Sequence, residues 1–252
     1  MSEYHSNRVR ELFAACSRDL TPASAHHAAC VLYSPVVSDP EVVGLCASVL
    51  SDSELQRADR FAASSEKALF IQRRAFRRFC AITVCGSSRP LSHVVFEETE
   101  NGRPYLSDLP DLWFSFASCQ LGFLGAWSST HGIGVDIEDP SKDLQAAELA
   151  QRFYSEAEAR AVHRPGNLAR LRTFYRFWSL KEAALKSVGE GLPFGLDAFQ
   201  FELSPSLRVV HAPADHGGPE NFDAHLIGDA DRSAALVIRS LVRSHGEPGG
   251  VH

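Results

Sequence analysis

Apolar runs of membrane length are missing from these 252 residues. Nowhere does the chain gather the roughly 20 apolar side chains that a spanning helix needs. The opening stretch MSEYHSNRVRELF also lacks the apolar core of a secretory signal, so the expectation is a cytoplasmic protein with no membrane contact. Excess positive charge is absent too. Lys and Arg number 25 against 31 Asp and Glu, a formal net charge of −6, which removes compositional support for nucleic-acid binding. An anionic small ligand then needs a local basic cluster or a metal. Cysteine is sparse: Cys16, Cys30, Cys46, Cys80, Cys85 and Cys119 show no C-x-x-C and no histidines at zinc spacing. That argues against a disulfide framework and reads as buried reduced thiols. Short repeats and low-complexity tracts do not occur. Strands and helices mix without a regular βαβ rhythm, which favours α+β over a doubly wound sheet.

What is present is ordinary for a globular chain, 44% hydrophobic and 22% charged, long enough for one large domain or two modest ones. Residues 1–28 carry Val9, Leu12, Phe13 and Cys16 at loose helical spacing and read as an appended helix. A strand is expected over Cys30–Val37. Ser51 to Glu54 forms a capping box that starts a helix ending near Phe61. A longer helix fits Glu66–Cys85, with Leu69, Gln72, Phe76 and Phe79 on one face and Arg73, Arg74, Arg77 and Arg78 as a solvated face. Aromatic and branched residues predict strands at His93–Glu97, Trp113–Ala117 and Leu121–Trp127. Ser128–Gly132 reads as a connection between halves, giving an extension over 1–28, a first half over 29–128 and a second over 129–243. A strand at Ile133–Glu138 is followed by helices at 142–153, Ser155–His163 (capped by Ser155 and Glu158) and Asn167–Val188. Phe199–Arg239 alternates like antiparallel strands around a polar Pro/Gly loop from Pro213 to Pro219. The tail over 244–252 is expected to be disordered.

Two stretches carry chemistry. In the strand Gly134-Val-Asp-Ile-Glu138, alternation sends Val135 and Ile137 into a core and brings Asp136 and Glu138 out together. Paired carboxylates repel, and a hard divalent cation such as Mg²⁺ is the simplest group to hold them. D-x-E by itself reads more readily as a solvated strand end beside a turn. In the helix, Trp178, Glu182 and Lys186 form one stripe, while Leu171, Phe174, Phe177, Leu180 and Ala184 read as packing. Taken singly, Glu182 and Lys186 are an exposed ion pair, Lys181 is solvated and Trp178 packs.

Together these stretches resemble the Sfp-type 4′-phosphopantetheinyl transferase family, whose G-x-D-x-E strand and W-x-x-K-E-x-x-x-K helix stand here in order as Gly134–Glu138 and Trp178–Lys186. Weaker features agree over roughly 30–240. Asn101-Gly-Arg-Pro-Tyr-Leu106 is similar to the family's G-K-P-x-L loop, and Phe114–Cys119 takes the place of its F-N-x-S-H-S segment.

The resemblance implies a fold of two similar α+β halves related by a pseudo-twofold, with the active site in the cleft between them, in a monomer. It implies transfer of 4′-phosphopantetheine from coenzyme A to a serine of an apo acyl or peptidyl carrier protein, releasing 3′,5′-ADP. Asp136, Glu138 and Glu182 are the implied Mg²⁺ ligands. Glu182 also serves as base and Lys186 stabilises the leaving phosphate, with Trp178 and Lys181 in support. Arg57, Arg60, Arg103, Ser118 and Lys186 are the implied coenzyme A contacts; for Arg57 and Arg60 an exposed helix face explains the residues equally well. Ala117-Ser118 departs from the family's Ser-His pair, so one phosphate contact loses its imidazole. Two other readings stay open at this level: a Mg²⁺-dependent phosphohydrolase of coenzyme A or nucleotides, and a carrier-binding module without catalysis.

Overall fold

Two long helices, each laid across an antiparallel sheet, carry the architecture. A computed structural model describes residues 2–86, 89–141, 145–163, 166–189 and 195–241. The first half begins with α1 (Ser2–Cys16) and β1 (Arg18–Asp19), then β2 (Cys30–Pro35), α2 (Pro40–Ala47), α3 (Asp52–Ala58) and the 22-residue α4 (Ser64–Cys85). Short β3 (Glu97–Glu98) and β4 (Pro104–Tyr105) pair with each other, and β5 (Trp113–Cys119) and β6 (Gly122–Ser128) form a hairpin. The second half runs β7 (His131–Glu138), α5 (Ala146–Phe153), α6 (Glu156–His163), the 22-residue α7 (Asn167–Val188), the pair β8 (Gln200–Glu202) and β9 (Arg208–His211), then β10 (Phe222–Leu226) and β11 (Ser233–Ser240).

Sheet order is β1-β2-β6-β5 in the first half and β10-β11-β7 in the second, with antiparallel neighbours throughout. Each long helix stops where its sequence supplies a glycine that can turn left-handed: Gly86 at φ 55° after α4 and Gly189 at φ 77° after α7. The capping box at Ser51 and Glu54 forms as read, with Ser51 N–H donating to Glu54 and Glu54 N–H donating to Ser51 Oγ.

Alternation along β7 sets how the halves meet. Ile133, Val135 and Ile137 enter a core shared with Val31, Tyr33, Leu124 and Ala126 of the first half and Leu236 of the second. Two side-chain bonds add to that seam: Trp113 Nε1 donates to the Ile133 carbonyl at 2.8 Å, and Val135 N–H donates to Ser115 Oγ at 3.0 Å. The opposite face of β7 lies against α7. There a methyl on Gly134 would sit 1.8 Å from the Ala183 carbonyl, and one on Gly132 would sit 2.6 Å from that of Ser187. Helix and strand therefore touch main chain to main chain, which only glycine permits.

Several expectations are corrected. Residues 1–28 are built into the protein: Val9 and Phe13 are buried in the first-half core, and β1 joins the first sheet. The strand expected at His93–Glu97 reduces to β3, because Pro90 leads a single 3₁₀ turn that buries Leu91 and Val94. The arginine face of α4 is not solvated. Arg78 is buried and Arg73, Arg74 and Arg77 are half-buried. All six cysteines are free, but only Cys46, Cys80 and Cys119 are buried, while Cys30 and Cys85 are exposed. Lys181, expected in solvent, is 0% exposed. The expected helix start at 142–144 and the tail at 244–252 lie outside the described residues.

Candidate active site

The site grows from the close seating of α7 on β7. Gly132 faces Ser187 and Gly134 faces Ala183, so helix and strand run antiparallel, and Lys186 reaches the strand beside Asp136. Asp136 is only 6% exposed. Its Oδ1 accepts from Lys186 Nζ at 2.8 Å, and the same ammonium donates to the Val135 carbonyl at 3.1 Å. The second oxygen, Asp136 Oδ2, is buried with no hydrogen-bond partner. A bare carboxylate oxygen in that position is costly.

Glu182 is half-buried on the side of α7 that carries Lys186. Burial pushes its carboxyl above the usual glutamate range; Lys186 pulls it back, and the Asp136 charge adds to the rise. Glu138, half-buried at the end of β7, stands opposite Ser233 of β11. Tyr154 is raised well above the ordinary tyrosine range by burial, then by Glu158, Tyr175, Glu138 and Glu182 in turn. Trp178 is half-buried one turn before Glu182, its ring 5.7 Å from that of Phe174.

The donor set suits a hard cation. The groups are carboxylate oxygens, one of them is buried and unpartnered, and the Lys186 ammonium bonds Asp136 and acts on Glu182. As placed, no three acidic, histidine or cysteine groups among the described residues are arranged to hold an ion. The Lys186 ammonium is the positive group on Asp136.

Beside Lys186 opens a cleft of about 140 Å³ lined by Arg77, Asn101, Arg103, Ser115, Phe116 and other residues. Arg103 lies over the Trp113 ring at 4.3 Å. A second cleft of about 540 Å³ is lined by Glu54, Arg57, Arg74, Arg77, Arg78 and others. Arg77 belongs to both. Among the expected phosphate contacts, Arg103 and Lys186 meet in the first cleft, and Arg57 lines the second while stacking over Phe70 at 5.6 Å. Arg60 is exposed and Ser118 half-buried, and neither is among the residues lining these clefts.

Sequence reasoning missed Arg74, Arg77 and Ser115. The signal for Arg74 was its spacing of four from Arg78, which placed both on one side of α4. Both reach Glu54, Arg78 at 2.6 Å and Arg74 at 3.7 Å. Ser115 was marked by being a hydroxyl inside the aromatic run Trp113-Phe-Ser-Phe.

Lys181 supports the site from beneath. Its ammonium meets Glu158 at 3.0 Å and donates to the carbonyls of Leu196 and Phe199. Glu158 in turn accepts from Ser155 N–H and Phe201 N–H, each at 2.9 Å. This buried network ties α7 to α6 and β8 directly under the turn that bears Glu182.

Residues 132–237, from β7 into β11, match the family model of the 4′-phosphopantetheinyl transferase superfamily. The chain is similar to 4′-phosphopantetheinyl transferase HetI of Nostoc sp., 30% identical over 175 residues that cover 67% of this chain and 72% of that protein. It is similar to 4′-phosphopantetheinyl transferase psf-1 of Bacillus pumilus, 27% identical over 158 residues covering 63% of this chain and 66% of the relative. With 4′-phosphopantetheinyl transferase Sfp of Bacillus subtilis it shares 32% identity over 126 residues, 50% and 55% of the respective lengths. The match thus spans less than two thirds of either Bacillus protein.

Proposed function

Because this chain belongs to the 4′-phosphopantetheinyl transferase superfamily, we propose that it moves the 4′-phosphopantetheine arm of coenzyme A onto a serine of an apo acyl or peptidyl carrier protein. The observation that carries the reading is Asp136, whose unpartnered buried oxygen stands beside Lys186 and Glu182 at the edge of a basic cleft.

In this reaction the serine oxygen bonds to the β-phosphorus, the bond from that phosphorus to the bridging oxygen breaks, and 3′,5′-ADP leaves with the electron pair. A hard divalent cation such as Mg²⁺, when held by Asp136, Glu138 and Glu182, neutralises charge on the diphosphate. Lys186 lines the cleft and supplies a fixed ammonium for charge that develops on the leaving phosphate. Arg103, stacked on Trp113, presents a planar fork suited to phosphate oxygens. A carboxylate oxygen of Glu182 takes the serine proton, directly or through water. No catalytic serine or cysteine is required of the chain, since the nucleophile arrives on the partner. No helix among the described residues is long and apolar enough to cross a membrane. The reading is of a cytoplasmic monomer acting on carrier proteins.

Intact-mass analysis of an apo carrier incubated with the protein, coenzyme A and Mg²⁺ tests the proposal. The expected product is a carrier heavier by one phosphopantetheine. Consumption of coenzyme A with an unmodified carrier would instead support a hydrolase, and no change in either would leave a binding module.

A further inference from the structure

We propose that Arg77 of α4 binds the diphosphate of the substrate, standing on the first-half wall of the cleft opposite Lys186; the inference rests on the transferase reading above. Arg77 is the one α4 arginine that lines both clefts, and in the smaller it shares the walls with Lys186 and Arg103. It is half-buried, its Nε is buried without a hydrogen-bond partner, and it forms no ion pair or hydrogen bond with a described residue. Its guanidinium rests over the Phe116 ring at 5.0 Å.

The neighbouring carboxylate is already committed. Glu54 is held by Arg78 and reached by Arg74, so Arg77 sits among like charges that Glu98 and Glu54 offset only in part. Burial, then the charges of Arg74 and Arg73, push its guanidinium down to about 10. A cation kept in such surroundings without a partner is a cost to the fold. A bound anion would relieve it further than the Phe116 ring and the distant carboxylates do. The planar fork of arginine suits a phosphate, whose oxygens can accept two parallel bonds. Position selects which phosphate. Arg57 and Arg74 line only the larger cleft, away from Lys186, whereas Arg77 borders the cleft where the ammonium of Lys186 stands.

Binding of coenzyme A and of 3′-dephospho-coenzyme A to the full chain, wild type against Arg77→Met and Arg77→Lys, tests this by calorimetry. Arg77→Met is expected to weaken both ligands by about 10- to 100-fold, as for the loss of a charge-assisted hydrogen bond, with Arg77→Lys recovering part. Without ligand, the melting temperature of Arg77→Met should stay level or rise, because an unpaired cation has been removed. Affinities within twofold of wild type for both ligands overturn the assignment. So does a loss confined to coenzyme A, which would place Arg77 on the 3′-phosphate. A wild type that binds both ligands through Arg77 but modifies no carrier sinks the transferase reading alone. A wild type that modifies the carrier while Arg77→Met binds normally sinks this inference alone.

Discussion

Asp136 and Lys181 show what burial asks of a charged group. Asp136 has one oxygen satisfied by Lys186 and one with no partner; Lys181 has every donor engaged, by Glu158 and two carbonyls. The first arrangement is suited to a ligand and the second to support. Asp136→Ala and Glu182→Ala should therefore each abolish carrier modification while the protein stays folded, as read by intact mass and circular dichroism; full activity in both variants would remove the site. Lys181→Met is expected to cost about 3–5 kcal/mol in denaturant unfolding, since it strands the Glu158 carboxylate in the core. Adding Glu158→Gln should return a good part of that loss, and no recovery would mean the pair is not the cause. Asp136, Glu138, Glu182 and Lys186 were legible through the family resemblance of two motifs standing in order, where the spacing of either alone was weak. The sequence could not show that Lys181, one position from Glu182, faces inward, because the partner that decides this, Glu158, is 23 positions away and was spoken for as a helix cap.

The helices and strands matched their sequence signals where local chemistry decided the outcome. Glycines ended α4 and α7, serine and glutamate opened α3, and alternation along β7 separated core from site. The signals failed where distant chain decided. The arginines of α4 look like a solvated face until α3 and the β5 aromatics cover them. Two consequences belong to these elements. Gly134→Ala should destabilise the protein by about 3 kcal/mol and depress transfer, because the added methyl drives α7 off β7. Gly44→Ala, in the interior of α2 with open space around it, should instead stabilise by about 0.5–1 kcal/mol; equal melting shifts for the two would contradict the contact. The tie between α3 and α4 predicts a pH dependence. Burial pushes Glu54 up, but its bonds to Arg78 and Ser51 and the charge of Arg74 outweigh this, so the folded carboxyl titrates below the ordinary value of 4.5. Its contribution is present above that value and fades as pH falls through the lower folded one. Urea titrations of wild type and Glu54→Gln should converge in acid and differ by about 2 kcal/mol near neutrality. A constant gap would refute the assignment.

Across the described residues the molecule has one core under each long helix and a third in which both sheets participate. A shared core couples the halves, so unfolding should be a single event. Thermal melts followed by far-ultraviolet circular dichroism and by tryptophan fluorescence, with Trp113 and Trp127 in one half and Trp178 in the other, are expected to coincide; two resolved transitions would show the halves to be independent. Resemblance had indicated the pairing of halves; the helical spacing of Val9, Leu12, Phe13 and Cys16 marked an apolar face in residues 1–28 but did not say that it completes the first of those cores. At Gly134 the backbones of strand and helix are separated by no more than a hydrogen atom. The offset between Asp136 and Lys186 is in consequence a fixed gauge with no adjustable shim: elsewhere a larger or smaller residue can be absorbed by its neighbours, whereas here any change of size is transmitted undiminished to the spacing on which the chemistry operates.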